Sequence, residues 1–316
     1  MSVQAIITGQ KNISMPSITA TGMYIGTGTS RAALIDYFNK PLANCNWADI
    51  SEISSLGIAD SIFDIGELKE VSVSGTIGTL SVDTTLYAKI QEFNHNSGNE
   101  GSGINWSLFY SSSGNALALV DSSYNSTFTT GKKAFNMNHW GNYNIGGWGA
   151  CDMRYDILGS TNVAPSGYGS ARVSGAYGTN PTNYDLVNYP VSNTLMAALP
   201  SALRAVLKPM SIKTDNKGGG SGSSSSYVTT SIDYLALYSI FEVNSDTLNG
   251  YNSYEQSGVV TFDEYASDAD RIVYSYADGV TAVKVWTRTC VNDNDRSFGY
   301  INTDGSAWSS TGAYRS

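Results

Sequence analysis

The chain lacks most of the features by which common functions declare themselves. No apolar run approaches the roughly 20 residues that a membrane-spanning helix needs, so no membrane insertion is expected. Charged residues make up only 14% of the 316 positions, against about 25% in ordinary soluble domains. Positive charge is the scarcer sign, with 18 Lys and Arg against 27 Asp and Glu and a net charge of −9. That balance excludes the cationic field a nucleic-acid partner requires. There are three cysteines, Cys45, Cys151 and Cys290, too few and too far apart for a disulfide framework or a zinc knuckle. They read as thiols of a reducing compartment. The start, MSVQAIIT, lacks the charged-then-apolar order of a secretory signal, so a soluble protein not exported by that route is expected.

What fills the space is Ser, Thr, Asn, Gly and Tyr, including 32 Gly and 21 Tyr, with 41% hydrophobic residues to build a core. This is the composition of turn-rich β structure with an uncharged polar surface, as on extracellular and virion-surface proteins. Tyrosine supplies rigid, amphipathic contact area at low entropic cost, which is why binding loops favour it. A surface protein without an export signal fits a phage particle, which assembles in the cytoplasm and leaves by lysis.

Along the chain, residues 1–45 read as a small β-rich attachment region, with short β-type runs at 5–8 and 23–26 and a helix-like piece at 30–38. A helix follows from Asn46 as N-cap, with Trp47, Ile50, Ile53 and Leu56 on one face, Asp49 at the third helical position and Gly57 at the C-terminal end. Alternation predicts strands at 69–77, 86–93, 104–110 and 116–120, then at 232–238 and 280–288. Met153, Ile157 and Leu158 keep helical spacing. Residues 166–190 read as a long surface insertion. A second helix over 194–206 is broken at Pro200, where Ser201 restarts it. Residues 216–226, rich in Gly and Ser, read as a flexible loop interrupting one large domain that spans 46–316. The expected class is α+β.

Catalytic signals are weak. His139 and Cys151 could form a nucleophile–base pair, but no orienting third group is visible, and a His in a Gly/Asn/Trp turn is the plainer reading. His95 reads as part of a satisfied polar bend at a strand end, since no further metal ligand accompanies it. Asp152 and Asp156 lie one helical turn apart and read as a solvated face. Residues 292–295 (NDND) resemble half of an oxygen-ligand calcium loop without the Gly and Glu that complete it. A solvent-facing loop is favoured there, and no cofactor is expected.

The most informative stretch is the last, 286–316. Trp286, Arg288, Gly299, Tyr300, Ile301 and Gly305 are framework residues of a strand-and-turn unit, and the polar residues between them have no evident structural task. Three passages in order resemble one family. Residues 144–154 (NIGGWGACDMR) are similar to its "GGW…S.MR" element. Residues 198–209 (ALPSALRAVLKP) are similar to its "LP..L..V" helix. VWTRT at 285–289 with GYINTDGS at 299–306 is similar to its "WLR(S/T)…VN.DG" close. The family is a domain of unknown function abundant in gut-bacterial phages and prophages, and the resemblance covers about residues 46–316.

The resemblance implies a C-type-lectin-like fold: a mixed, mainly antiparallel sheet flanked by two helices, with long irregular loops. It implies a receptor-binding tip of a phage fibre whose C-terminal codons are varied by a diversity-generating retroelement. The ligand-facing residues would be Asn292, Asp293, Asn294, Asp295, Arg296, Ser297, Phe298, Trp308 and Tyr314, with Gly147, Trp148, Arg154, Trp286 and Arg288 as framework. Family members continue into a "GV.P.F.I" strand, whereas this chain stops at Ser316. The expected partners are a bacterial surface protein or glycan, and other virion proteins through the N-terminal region, with display in several copies as in a homo-oligomer. Two alternatives stand beside this reading: a decoration or fibre protein without a ligand, and an oxidase of the formylglycine-generating type acting through Cys290.

Overall fold

A computed structural model describes residues 41–119, 135–139, 143–167, 181–245 and 249–307, with the backbone alone at 24–25, 32–33 and 308–312. In chain order the strands are β1 (Tyr24–Ile25), β2 (Ala32–Ala33), β3 (Leu68–Ile77), β4 (Leu80–Phe93), β5 (Ile104–Tyr110), β6 (Leu117–Ala118) and β7 (Met210–Asp215). They continue with β8 (Val228–Asp233), β9 (Val273–Ser275), β10 (Ala282–Val283), β11 (Val285–Cys290), β12 (Ser297–Ile301) and β13 (Ala307–Gly312). The class is α+β, built of small open sheets in the orders β3-β4-β5, β11-β12-β13, β10-β9-β6, β7-β8 and β1-β2. Every pairing is antiparallel except that of β6 with β9.

The local signals of the first half translate directly. Helix Trp47–Ser55 starts on a reciprocal cap, in which Asn46 Oδ1 accepts the Asp49 N–H at 2.8 Å and the Asp49 carboxylate accepts the Asn46 N–H at 3.2 Å. Such a box satisfies two of the N–H groups a helix start leaves open. Trp47, Ile50 and Ile53 are buried, the inward face of a helix whose other residues are mostly partly or fully exposed. In β3, Val71 and Val73 alternate inward, and ten consecutive residue pairs lock β3 to β4.

Elsewhere the expectations need correction. The strand read at 232–238 is instead β8, which ends at Asp233. Beyond it the Tyr234 and Leu235 N–H groups donate to the Ser160 carbonyl and hydroxyl, so a loop takes the hydrogen bonds a sheet would have used. The second helix does break at Pro200 and restart at Ser201, but each half is a single turn, Leu195–Ala198 and Ser201–Arg204. The helix-like piece at 30–38 contains β2. Residues 168–180 of the expected insertion lie outside the described residues.

One core joins these parts. Ile50, Ile53, Val71, Val73, Ile90, Phe109, Trp148, Met196, Cys290 and Phe298 belong to one buried cluster, which also takes in Leu42 and Cys45. A smaller cluster of Ile240, Phe241, Tyr251 and Val291 sits under the start of the turn between β11 and β12.

Candidate functional site

The turn of residues 291–296 joins β11 to β12, and main-chain groups hold it from below. The side chain of Asn144, fully buried, donates from Nδ2 to the carbonyls of Val291 at 2.8 Å, Asn294 at 3.1 Å and Ser297 at 2.8 Å. Its own N–H donates to the Asp295 carbonyl at 3.0 Å. Asn144 Oδ1 in turn accepts the Gly219 N–H at 2.8 Å. From that second segment Gly220 N–H reaches the Asn294 carbonyl at 3.1 Å and Gly222 N–H the Asn292 carbonyl at 2.9 Å. The turn is thus clamped by the segments around Asn144 and around Gly219–Gly222.

Residues 216–226, read from composition as a flexible Gly/Ser loop, make specific contacts along their first half. Asn216 and Gly218 are buried, and the Asp215 carboxylate accepts the Lys217 N–H at 2.9 Å. The glycines are there for contact. A Cβ on Gly218, whose φ is +57°, would lie 2.0 Å from the Asn144 carbonyl oxygen, and a Cβ on Gly147, φ +50°, would lie 2.0 Å from the Asp215 carbonyl oxygen. The two backbones touch at both points, which only glycine permits. The composition of a linker here belongs to a strap.

Behind the turn lies a buried polar network. Arg288 forms a two-pronged pair with Glu242, Nη1 to Oε2 at 2.6 Å and Nη2 to Oε1 at 2.5 Å, and also donates to the Leu237 carbonyl. Glu242 at the same time accepts the Ser239 N–H as the cap of helix Ile240–Val243. Glu255 is fully buried, and burial pushes its carboxyl upward. It accepts the Asp215 N–H at 2.8 Å, the Ser239 hydroxyl at 3.1 Å and the Thr289 hydroxyl at 2.7 Å. On the far side Asp233 collects Arg154 Nε at 2.5 Å, Trp148 Nε1 at 3.0 Å and the Ser160 and Ser231 hydroxyls. Gly147, Trp148, Arg154 and Arg288 are therefore interior residues, and Trp286 packs against the core half-buried.

The nine residues expected to face a ligand divide. Asp293 and Arg296 are exposed, with Asn294 and Asp295 half-exposed. Arg296 Nε lies 3.3 Å from Asp295 Oδ1, the two side chains being 68% and 50% exposed, a pair too wet to fix the turn. Asn292, Ser297 and Phe298 do not belong to the surface. Phe298 is fully buried in the main core, where a phenyl ring contributes about 1.5–3 kcal/mol. Asn292 points inward to the Ser223 hydroxyl at 2.7 Å, and Ser297 is buried. All of β12 is buried, so it lacks the alternation that would have separated facing from hidden positions. Trp308 lies in β13 opposite Tyr300, and Tyr314 lies outside the described residues.

The half-motif for calcium does not assemble. The carbonyls of 292, 294 and 295 accept N–H groups, Asn294 Oδ1 accepts the Arg296 N–H, and Asp293 Oδ1 accepts Asn294 Nδ2. A calcium ion needs six or more oxygens turned toward one point. The surroundings of Cys290 do not favour a nucleophile. It is fully buried, its Sγ donates to the Asp215 carbonyl at 3.2 Å, and burial, with Asp215 and Glu255 nearby, pushes the thiol well up. The reactive form of a cysteine is the thiolate. The Nδ1 of His139 faces Asp152 and Asp156. A cleft of about 1050 Å³, lined by Trp47, Trp106, Tyr234 and Trp286 among others, contains none of residues 291–298 and is separate from the turn.

Asn144, the glycine strap, Asp215, Glu242 and Glu255 are the site residues that sequence reasoning did not single out. Asn144 opens the GGW element, and that position was its one signal. No protein-family model, no curated protein and no solved structure matches the chain.

Proposed function

We propose that this chain is a receptor-binding protein of a phage virion, of C-type-lectin-like fold, which recognises a bacterial surface protein or glycan through the side chains of residues 293–296. The observation that carries the reading is the division of labour in the turn. Its path is held by main-chain carbonyls accepting from Asn144, Gly220 and Gly222, and of the side chains at 293–296 that of Asn294 alone adds a bond to the turn's backbone, its Oδ1 accepting the Arg296 N–H. Such a turn can change its outward residues without changing its shape, which is what a recognition surface under diversification needs. Rigid presentation on sheet ends lowers the ordering cost of binding, and several copies per particle would multiply a modest single-site affinity. Residues 1–45 serve as the attachment to other virion proteins in this reading.

The test is adsorption. Fluorescently labelled protein is incubated with a panel of gut bacterial strains, beside a variant with Asp293, Asn294, Asp295 and Arg296 all replaced by Ser. Binding to at least one strain by the parent and a loss of tenfold or more in the variant is the expected result. Equal binding by a folded variant would overturn the reading and leave a decoration or fibre protein in its place.

A further inference from the structure

Away from the turn, one cluster of chemistry-bearing side chains has no part in the adhesion reading. His139, Asp152 and Asp156 bring one ligand atom each to within 4.8 Å of one another. His139 Nδ1 lies 3.1 Å from Asp152 Oδ2 and 3.6 Å from Asp156 Oδ2. We propose that these three residues form a binding site for a divalent transition-metal ion of the zinc or manganese type.

Three arguments support the assignment. The first is spacing. Nitrogen and oxygen ligands held roughly 2.0–2.2 Å from a common ion stand about 3–3.5 Å apart, close to the 3.1 and 3.6 Å that separate the imidazole from the two carboxylates. The second is charge. Two carboxylates beside one imidazole make a cluster whose charge suits a divalent cation, and such an ion takes the imidazole in its neutral form, the form in which it ligates. This matters because Asp152 is buried and Asp156 only partly exposed, so solvent screens the pair poorly. The third is donor type. Imidazole nitrogen with carboxylate oxygen suits zinc, iron or manganese, and an all-oxygen cage would be needed to favour calcium.

The surroundings hold the ligands in place. The His139 N–H donates to Asp152 Oδ2 at 2.9 Å, the Asp152 N–H to Asn138 Oδ1 at 3.1 Å, and the Met153 N–H to the Met137 carbonyl at 3.1 Å. Segment 137–139 is thereby fixed against the start of the π-helical turn Met153–Ile157, an irregularity that recurs at functional positions. Arg154, between the two aspartates in sequence, carries its Nε into a pair with Asp233. The sequence placed Asp152 and Asp156 on a solvated face, and it gave no sign that a residue 13 positions upstream would meet them. With three protein ligands, the ion would keep coordination positions for water or an incoming group.

The test uses the full chain, stripped with a chelator and titrated with zinc chloride and separately with manganese chloride, followed by calorimetry and by metal analysis after gel filtration. One equivalent of one of these ions per chain is expected, with a metal-dependent rise in the melting temperature. His139→Gln and Asp156→Asn are each expected to weaken binding at least tenfold and to remove the rise. Asp156 is the milder site, and circular dichroism of both variants establishes that they fold. Stoichiometric binding of neither ion by the parent chain, or unchanged binding by folded H139Q, would overturn the proposal and leave the trio as an internal ion pair.

Discussion

Replacing Asn144 is the sharpest test of how the turn is held. The Asn144 amide donates to the carbonyls of residues 291, 294 and 297 and accepts from Gly219, all within 3.1 Å and with Asn144 buried. An amide has two N–H donors, so its three donor contacts represent two full bonds, one of them shared, and the acceptor adds a third. Leaving a buried polar group without its partner costs about 1–3 kcal/mol. Water entering the cavity left by Asn144→Ala recovers part of that, so a net loss of about 3–5 kcal/mol is expected. Asn144→Asp is the more telling variant. It keeps the shape, but turns an oxygen toward three carbonyl oxygens, so it should be at least as destabilising as alanine. Urea unfolding gives both losses, and amide hydrogen exchange at Gly219, Gly220 and Gly222 should rise in both variants. An Asn144→Ala loss below about 1 kcal/mol, the scale of a single ordinary hydrogen bond, would refute the reasoning. So would an aspartate variant as stable as the parent.

Three further outcomes follow from the interior. Removing Arg288 with leucine strands Glu242 in a buried site and should cost about 3–5 kcal/mol in chemical denaturation, with part recovered when Glu242→Gln is added. His95 is buried with Nδ1 3.0 Å from Glu100 Oε2 and Nε2 3.0 Å from the Val260 carbonyl, two acceptors that call for a doubly protonated ring. Burial alone would lower its pKa, but the hydrogen bond and charge of Glu100, helped by Glu242 and Glu92, outweigh burial and raise it above 6.5. Its stabilising contribution is therefore complete below about pH 6.5, its unfolded value, and is lost as pH rises through the higher folded value. The stability difference between the parent and Glu100→Gln should shrink accordingly between mildly acid and alkaline pH; a difference that grows instead would contradict the assignment. All three cysteines are buried and none forms a disulfide, so a thiol reagent should label none in the native protein and three in denaturant, and fast native labelling of Cys290 would count against its placement.

What the sequence made legible was whatever is decided within a few residues. The Asn46–Asp49 cap, the alternation of Val71 and Val73 and the break at Pro200 are contests between near neighbours, and each appears where its pattern put it. The clamp on the turn was not legible, because Asn144 meets partners 75 to 153 positions away, and no local pattern encodes such a meeting. The strap misled for a related reason. Glycine is favoured both where a chain must be loose and where two backbones must touch, and composition does not distinguish the two. Phe298 was expected at the surface as one of the C-terminal set that the family resemblance implied. Its burial follows from β12 being covered on both faces, which removes the alternation that would have marked it. In the tail Arg288 and Gly299 are buried and Trp286 half-buried, while among the nine nominated residues with described side chains those at 293–296 are the ones exposed or half-exposed.

The central claim is that the turn owes its shape to the clamp beneath it, to which the displayed side chains add one exposed bond, from the Arg296 N–H to Asn294 Oδ1. The direct measurement is the equilibrium stability of the variant carrying Ser at 293, 294, 295 and 296, by urea unfolding with the parent alongside. Exposed substitutions each shift stability by about 0.5 kcal/mol or less, so the account predicts a total change within about 1–2 kcal/mol and unchanged exchange protection at Gly220 and Gly222. A loss of more than about 3 kcal/mol, or the disappearance of that protection, would mean that the side chains hold the turn, and would contradict it.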